Sequence, residues 1–228
     1  MSRLAQGGRV LGLKMPGEDL LGRECQRLLD GEGARQTIIR VTITGGSGGD
    51  GYWPSAQSQS RRILQRRAWP AVIERQRREG LRAIISAYRL GSNGPLTGLK
   101  HGNRLLQTLM ARECQDLGAE EGLLLDEHGQ LAEAISSNLL LVDGTRLLTP
   151  ARPDVAGVGL AWLAERLGAE LSIGSVAADR LEALSEVLVI NSVAGIRPVV
   201  AVAEARFPPG PVARRLQSLW EKELFLCA

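Results

Sequence analysis

Lysine is scarce beside arginine in this 228-residue chain, with three at Lys14, Lys100 and Lys222 among 28 basic positions, the rest being arginine. A guanidinium stays protonated and cannot act as a nucleophile, whereas a lysine amine in a partly buried site can lose its proton and condense with a carbonyl. Lys14 closes an amphipathic stretch and Lys222 lies between two glutamates of a terminal helical pattern, so both read as solvated. Lys100 ends the loop Arg-Leu-Gly-Ser-Asn-Gly-Pro-Leu-Thr-Gly-Leu-Lys and directly precedes the helical run His-Gly-Asn-Arg-Leu-Leu-Gln. Its plain reading is a surface lysine at a loop end; its chemical reading is a nucleophilic amine. Cysteine is sparse too. Cys25, Cys114 and Cys227 are odd in number and far apart, which excludes a disulfide framework and argues against a zinc site. Two histidines, His101 and His128, exclude a histidine-rich metal centre. No apolar run approaches the roughly 18 residues of a membrane span, and the start Met-Ser-Arg-Leu-Ala-Gln-Gly-Gly lacks the apolar core of a secretory signal. The expectation is a cytoplasmic protein with no membrane partner.

What is present is ordinary for a globular protein: 44% hydrophobic residues, 23% charged residues and a mild net charge of +3. The periodicities predict amphipathic helices over Ser2 to Leu13 and Pro16 to Leu29, then a β-branched strand over Gln36 to Thr44. Further strands are expected over Ile63 to Arg66 and Leu81 to Tyr88. A helix over Asn103 to Leu117 leads into an antiparallel meander of Glu121 to Asp126, Leu131 to Ser137, Asn138 to Val142 and Arg146 to Thr149. A helix (Val158 to Leu167), a strand (Glu170 to Val176), a short helix (Asp179 to Leu184), a strand (Val187 to Ser192), more strands to Phe207 and a terminal helix complete the pattern. The Gly/Ser/Asn/Pro-rich loop from Arg89 to Gly98 predicts a boundary between a domain of residues 1–92 and a larger one of residues 93–228.

Two motifs fail on context. Gly46-Ser-Gly-Gly-Asp-Gly51 follows a strand with dinucleotide-fingerprint spacing, but Tyr-Trp-Pro-Ser-Ala-Gln-Ser opens no helix, so a flexible hairpin tip is expected instead. Arg61, Arg62, Arg66, Arg67, Arg75, Arg77, Arg78 and Arg82 make a basic stretch that could face nucleic acid. Glu74 and Glu79 interrupt it and Trp69 is its only aromatic, which favours a solvated face and no nucleic-acid partner.

Four ordered blocks carry a resemblance: Thr97-Gly-Leu-Lys100-His-Gly-Asn103-Arg104-Leu; Leu131-Ala-Glu133-Ala-Ile-Ser-Ser-Asn138 with Leu148-Thr-Pro150; Ala156-Gly157-Val158-Gly159; and Ile190-Asn191-Ser192-Val193. Together they resemble the class IV pyridoxal-phosphate enzymes, over nearly the whole chain. That family holds branched-chain aminotransferases, D-amino acid aminotransferases and 4-amino-4-deoxychorismate lyases. Tyr88-Arg-Leu-Gly-Ser-Asn93 and Gly46-Ser-Gly-Gly-Asp-Gly-Tyr52 are most similar to the lyase branch. The resemblance implies an α+β, two-domain fold like that of D-amino acid aminotransferase, a homodimer, and pyridoxal 5'-phosphate as cofactor.

The resemblance also assigns roles, and the cofactor's chemistry explains the residue types. The cofactor needs an amine to carry it, an acid facing its pyridine nitrogen, and donors around its phosphate. Lys100 corresponds to the amine and to the base that moves the substrate proton. Glu133 corresponds to the carboxylate that keeps the pyridine nitrogen protonated. Val158 and Gly159, opening a helix after Gly157, would meet the phosphate through backbone N–H groups. Ser192 and the backbone of Val193 would add donors, Arg3 would pair with the phosphate charge, and Asn138 would support the site from behind.

The implied reaction is conversion of 4-amino-4-deoxychorismate into 4-aminobenzoate and pyruvate, in folate biosynthesis. The alternatives are a branched-chain or D-amino acid type aminotransferase, or a catalytically impaired homologue that keeps the fold. Family members carry a strand pair and a Gly-Asp-Gly-type segment ahead of the Arg-Leu helix, whereas this sequence begins at that helix. The expectation is an incomplete small domain with an exposed sheet edge. Gly45 and Asp50 stand where related lyases often carry arginines, which removes positive charge from a dianionic substrate's surroundings.

Overall fold

The computed structural model describes residues 1–30, 36–91, 94–151, 153–155 and 157–224. Cys227 lies outside them, as do Ser92 and Asn93 at the expected domain boundary and Ala156 of the third motif. The chain divides into two compact units, 1–70 and 71–228. That division falls upstream of the expected 92/93 boundary because the strand over Leu81–Leu90 is sandwiched in the second unit's sheet.

In the first unit, α1 (Ser2–Val10) and α2 (Glu18–Leu29) accompany a two-stranded sheet of β1 (Thr37–Thr44) and β2 (Arg61–Ala68). β1 and β2 pair antiparallel from Thr37 opposite Ala68 to Thr44 opposite Arg61. Leu21 on α2 is buried, and Glu24 on the same helix accepts from Arg62 Nε and Nη2, each at 2.7 Å. The glycine loop opens no helix; its tip is a tight turn in which Asp50 and Trp53 exchange backbone hydrogen bonds, with Tyr52 and Trp53 exposed.

The second unit is a sheet of nine strands among the described residues, in the order β5-β4-β3-β10-β9-β6-β7-β8, with β11 paired to β10. After α3 (Val72–Glu79), the strands are β3 (Leu81–Leu90), β4 (Glu121–Asp126), β5 (Leu131–Ala134), β6 (Asn138–Asp143), β7 (Arg146–Thr149), β8 (Leu171–Ile173), β9 (Glu186–Asn191), β10 (Gly195–Val202) and β11 (Ala205–Arg206). The helices are α4 (Leu105–Asp116), α5 (Val158–Leu167) and α6 (Pro211–Leu224). The central strands are apolar on both faces, and the two-residue period sorts them between two cores. Leu139 and Leu141 of β6 and Val187 and Val189 of β9 pack on one face. Leu140, Val142, Leu188 and Ile190 pack on the other, against Leu163 and Leu167 of α5 and Ala213, Leu216 and Trp220 of α6. Trp162 and Trp220 meet edge to face at 5.0 Å. Buried Glu186 on β9 accepts the N–H groups of Val212 and Ala213 at 2.9 and 2.8 Å, filling two of the open donors at the start of α6 and pinning that helix to the sheet.

The expected meander does not form. β4 and β5 pair antiparallel, as do β6 and β7, but β6 takes β9 as its other neighbour, with Asn138 opposite Ile190. A strand buried on both faces needs an equally apolar partner on its edge, and β9 supplies one. α3 was not expected as a helix at all. Only Ile73 and Gln76 of it are buried, so its inward face is too narrow to give an apolar period. Gly80 ends it at φ 83°, where a side chain would also meet Val200 Cγ1 at 2.3 Å, and the chain turns there into β3.

Candidate active site

The segment Asp154-Val155 is where the sequence motifs converge. The Gly98 N–H donates to the Asp154 carbonyl at 3.0 Å, forming a parallel bridge with the loop that ends at Lys100. Val155 donates its N–H to Glu133 Oε2 at 3.2 Å, and its carbonyl accepts from Asn138 Nδ2 at 3.0 Å. Loop 97–100, β5 and the start of β6 are thereby fastened to one strip of backbone. Lys100 itself has an exposed side chain on a backbone anchored by buried Leu99.

Glu133 is only 3% exposed, and burial pushes its carboxyl up to about 7, opposed by the Val155 N–H and reinforced by the nearby Asp154 charge, with Arg104 pulling the other way. A carboxyl in that state exchanges a proton near neutrality and gains most from a positively charged partner. Asn138 is likewise buried, and its Oδ1 leaves no room for a side chain at Gly157, where a Cβ would fall 1.8 Å away. Gly157 caps α5 in extended conformation with no side-chain cap, so the first N–H groups of the helix, at Val158 and Gly159, point out of its end. Gly159 packs against the Asn191 backbone, where a Cβ would come within 3.4 Å of the Asn191 carbonyl carbon. The start of α5 therefore abuts the turn joining β9 to β10, which carries Ser192 and Val193.

Replacing Gly157 by alanine should cost about 2 kcal/mol, since either Asn138 or the helix start must move. Urea unfolding of the full chain measures it, and an unchanged midpoint would show that the crowding is relieved without strain. Gly102→Ala, with open space around it, serves as the control.

One expected donor is already engaged. The Val193 N–H goes to Asn191 Oδ1 at 3.0 Å, and the Ala194 N–H to the same oxygen at 2.7 Å, leaving the exposed Ser192 hydroxyl as the turn's side-chain donor. Asn191 is held in turn by Ser137 Oγ at 3.0 Å, which also accepts from buried Arg197, beside buried Glu121 at 3.7 Å. Asn191 and Ser137 were legible as polar residues flanking apolar strands, but nothing local tied them to each other. Nothing in the sequence ties Arg104, four residues after Lys100, to Asp154. These contacts run within the second unit; Arg3 belongs to the first, half-buried on α1. A groove of about 550 Å³ in the first unit, lined by Glu24, Arg27, Leu28, Ser60, Arg61, Arg62 and Leu64, contains none of the candidate residues. The groove and most of the candidate residues therefore lie in different units.

A lysine on an anchored loop, a buried carboxyl and a helix start beside a serine-bearing turn thus all belong to the second unit. The chain belongs to the amino-transferase class IV family, whose model matches residues 1–202. It is 30% identical to the aminodeoxychorismate lyase of Vibrio harveyi over 189 residues, 78% of this chain and 69% of that one. It is 28% identical to the branched-chain-amino-acid aminotransferase of Escherichia coli K12 over 212 residues, 87% and 68% of the two chains. Among solved structures, the 4-amino-4-deoxychorismate lyase of Pseudomonas aeruginosa superposes with TM-score 0.84 at 38% identity, covering 98% of this chain and 83% of that one.

The family depends on pyridoxal phosphate, and the residues present fit that group. Glu133 offers a buried carboxyl that could face a pyridine nitrogen, the α5 start offers N–H groups without a side-chain cap for a phosphate, and Lys100 offers an amine. Among the described residues no cluster of histidine, cysteine and carboxylate side chains could hold a metal ion, and no helix is long and apolar enough to cross a membrane.

Proposed function

We propose that this chain is a 4-amino-4-deoxychorismate lyase, releasing 4-aminobenzoate and pyruvate. The observation that carries the reading is the fastening of the Lys100 loop, Glu133 and Asn138 to one backbone strip beside the α5 start. The identity to two lyases named for that activity supports the choice of reaction. When bound, pyridoxal phosphate supplies a carbonyl that links to an amine and a ring that takes up an electron pair from the neighbouring carbon. Lys100 would hold the cofactor through its amine and would act as the base that removes the proton from the amine-bearing carbon of the substrate ring. Loss of that proton expels the enolpyruvyl ether oxygen and leaves the ring aromatic; protonation of the departing enol gives pyruvate. Glu133 would favour a protonated pyridine nitrogen. The Val158 and Gly159 N–H groups and the Ser192 hydroxyl bind phosphate, and Asn138 holds Val155 and so the strip on which Glu133 rests. On the same reading the chain works in folate biosynthesis as a cytoplasmic homodimer.

An aminotransferase is the second reading, favoured by the longer match to the branched-chain enzyme. In that case Lys100 returns its proton to the cofactor side, and the product is a keto acid. Incubation with aminodeoxychorismate and no amino acceptor distinguishes them. Pyruvate and 4-aminobenzoate in equal amounts are expected, and strict dependence on an added keto acid would overturn the lyase assignment.

A further inference from the structure

We propose that Arg104 is a positioning residue for Lys100, a three-point clamp that fixes the lysine's backbone against the Asp154-Val155 strip; the proposal rests on the reading of Lys100 as the cofactor-bearing amine. The guanidinium donates through Nη2 to the Leu99 carbonyl at 2.8 Å and through Nε to the His101 carbonyl at 3.2 Å, the carbonyls of the residues before and after Lys100. Its Nη1 pairs with Asp154 Oδ2, on a carboxylate only 2% exposed that also accepts from Gln107 Nε2 at 3.1 Å. Asp154 is the neighbour of Val155, which binds Glu133 and Asn138. One planar side chain thus joins both flanks of Lys100 to the strip that carries the acid.

The arrangement answers a mechanical need. Lys100 sits between α4 and a loop, outside any sheet ladder, so no strand register fixes where its Cα lies. A long flexible side chain delivers its amine reproducibly only if its root is held, and misplacement by about 1 Å costs of order a hundredfold in reactions that depend on approach geometry. Arginine suits the task because its donors diverge in one rigid plane toward three separate acceptors; the ammonium of a lysine has no such fork. Arg104 is also where α4 begins, so the clamp passes the position of that helix to Lys100.

The test uses the full chain with Arg104→Ala and Arg104→Lys. In the cofactor-free protein, amide exchange over residues 97–103 should quicken about tenfold in both variants while the central strands β6 and β9 keep their protection. The rate at which pyridoxal phosphate becomes borohydride-fixed at Lys100 should fall about tenfold. Millimolar guanidinium should restore that rate in Arg104→Ala, and ammonium should not. Exchange and attachment within about twofold of the parent would overturn the clamp, as would a slow variant that guanidinium fails to rescue, since that marks general damage. If Arg104→Ala does not fold, Asp154→Asn weakens the third point, and unchanged exchange over 97–103 would overturn the proposal by itself. A parent chain that is never labelled at Lys100 overturns instead the proposed function on which the clamp depends, a result separable from the exchange data.

Discussion

Lys100→Ala is expected to fold like the parent and to carry no covalently attached pyridoxal phosphate. The side chain is exposed and its flanks are held by backbone hydrogen bonds to Arg104, which the substitution leaves intact. Stability should therefore change by no more than about 0.5 kcal/mol. The borohydride-reducible visible absorbance of a lysine-linked cofactor should vanish, and lyase turnover should fall to background, because no other group is assigned both to carry the cofactor and to move the substrate proton. Borohydride reduction followed by peptide mapping decides the point. A reduced label found at Lys14 or Lys222 in the parent, or persisting in the variant, would overturn the assignment.

Glu133→Gln should bind the cofactor and lose about a hundredfold or more in turnover, since a neutral amide no longer favours a protonated pyridine nitrogen. The same variant has a signature without cofactor. Burial raises the Glu133 carboxyl from 4.5 to about 7 in the folded chain. The folded state therefore binds the proton more tightly than the unfolded one. The resulting stabilisation is complete below about pH 4.5 and is lost as pH rises through about 7, a change of roughly 3 kcal/mol for a shift of that size. Glutamine cannot ionise, so this part of the pH dependence should disappear. Urea unfolding of both cofactor-free proteins at pH 5 and pH 8 measures it; equal pH dependence would mean that the carboxyl is ionised throughout. Asp154 and Arg104 act on Glu133 in opposite senses, so neither alone accounts for the shift.

Strongly periodic elements were legible from sequence. α5 over Val158–Leu167 and β7 over Arg146–Thr149 match the expected spans residue for residue, because their apolar spacing and flanking glycines leave one solution. α3 was invisible, since VIERQRRE shows too few apolar residues to have a face. Strand pairing was the larger gap: β6 and β9 are separated by three helical segments and two strands, and no local pattern says that Asn138 lies opposite Ile190. The site divides the same way. Lys100 stood out by scarcity, and Glu133, Asn138 and Ser192 by family pattern. The strip that joins the Lys100 loop, Glu133 and Asn138 acts through the backbone of Val155 and of Asp154, and a valine's amide leaves no trace in a sequence.

The central strand β3 has a temporal consequence. It lies between β4, which begins about thirty residues after it ends, and β10, whose Val199 pairs with Leu81 across more than a hundred residues of chain. During synthesis one edge of β3 can be covered early, but the other stays bare until residue 202 has emerged from the ribosome. Long-range parallel pairing of this kind is slow to form, and an uncovered edge invites pairing with other chains meanwhile. The β10 that closes this gap also begins directly after the Ser192-Val193 turn. Completing the sheet and setting the proposed phosphate turn are thus one late event, and an unfinished chain presents neither.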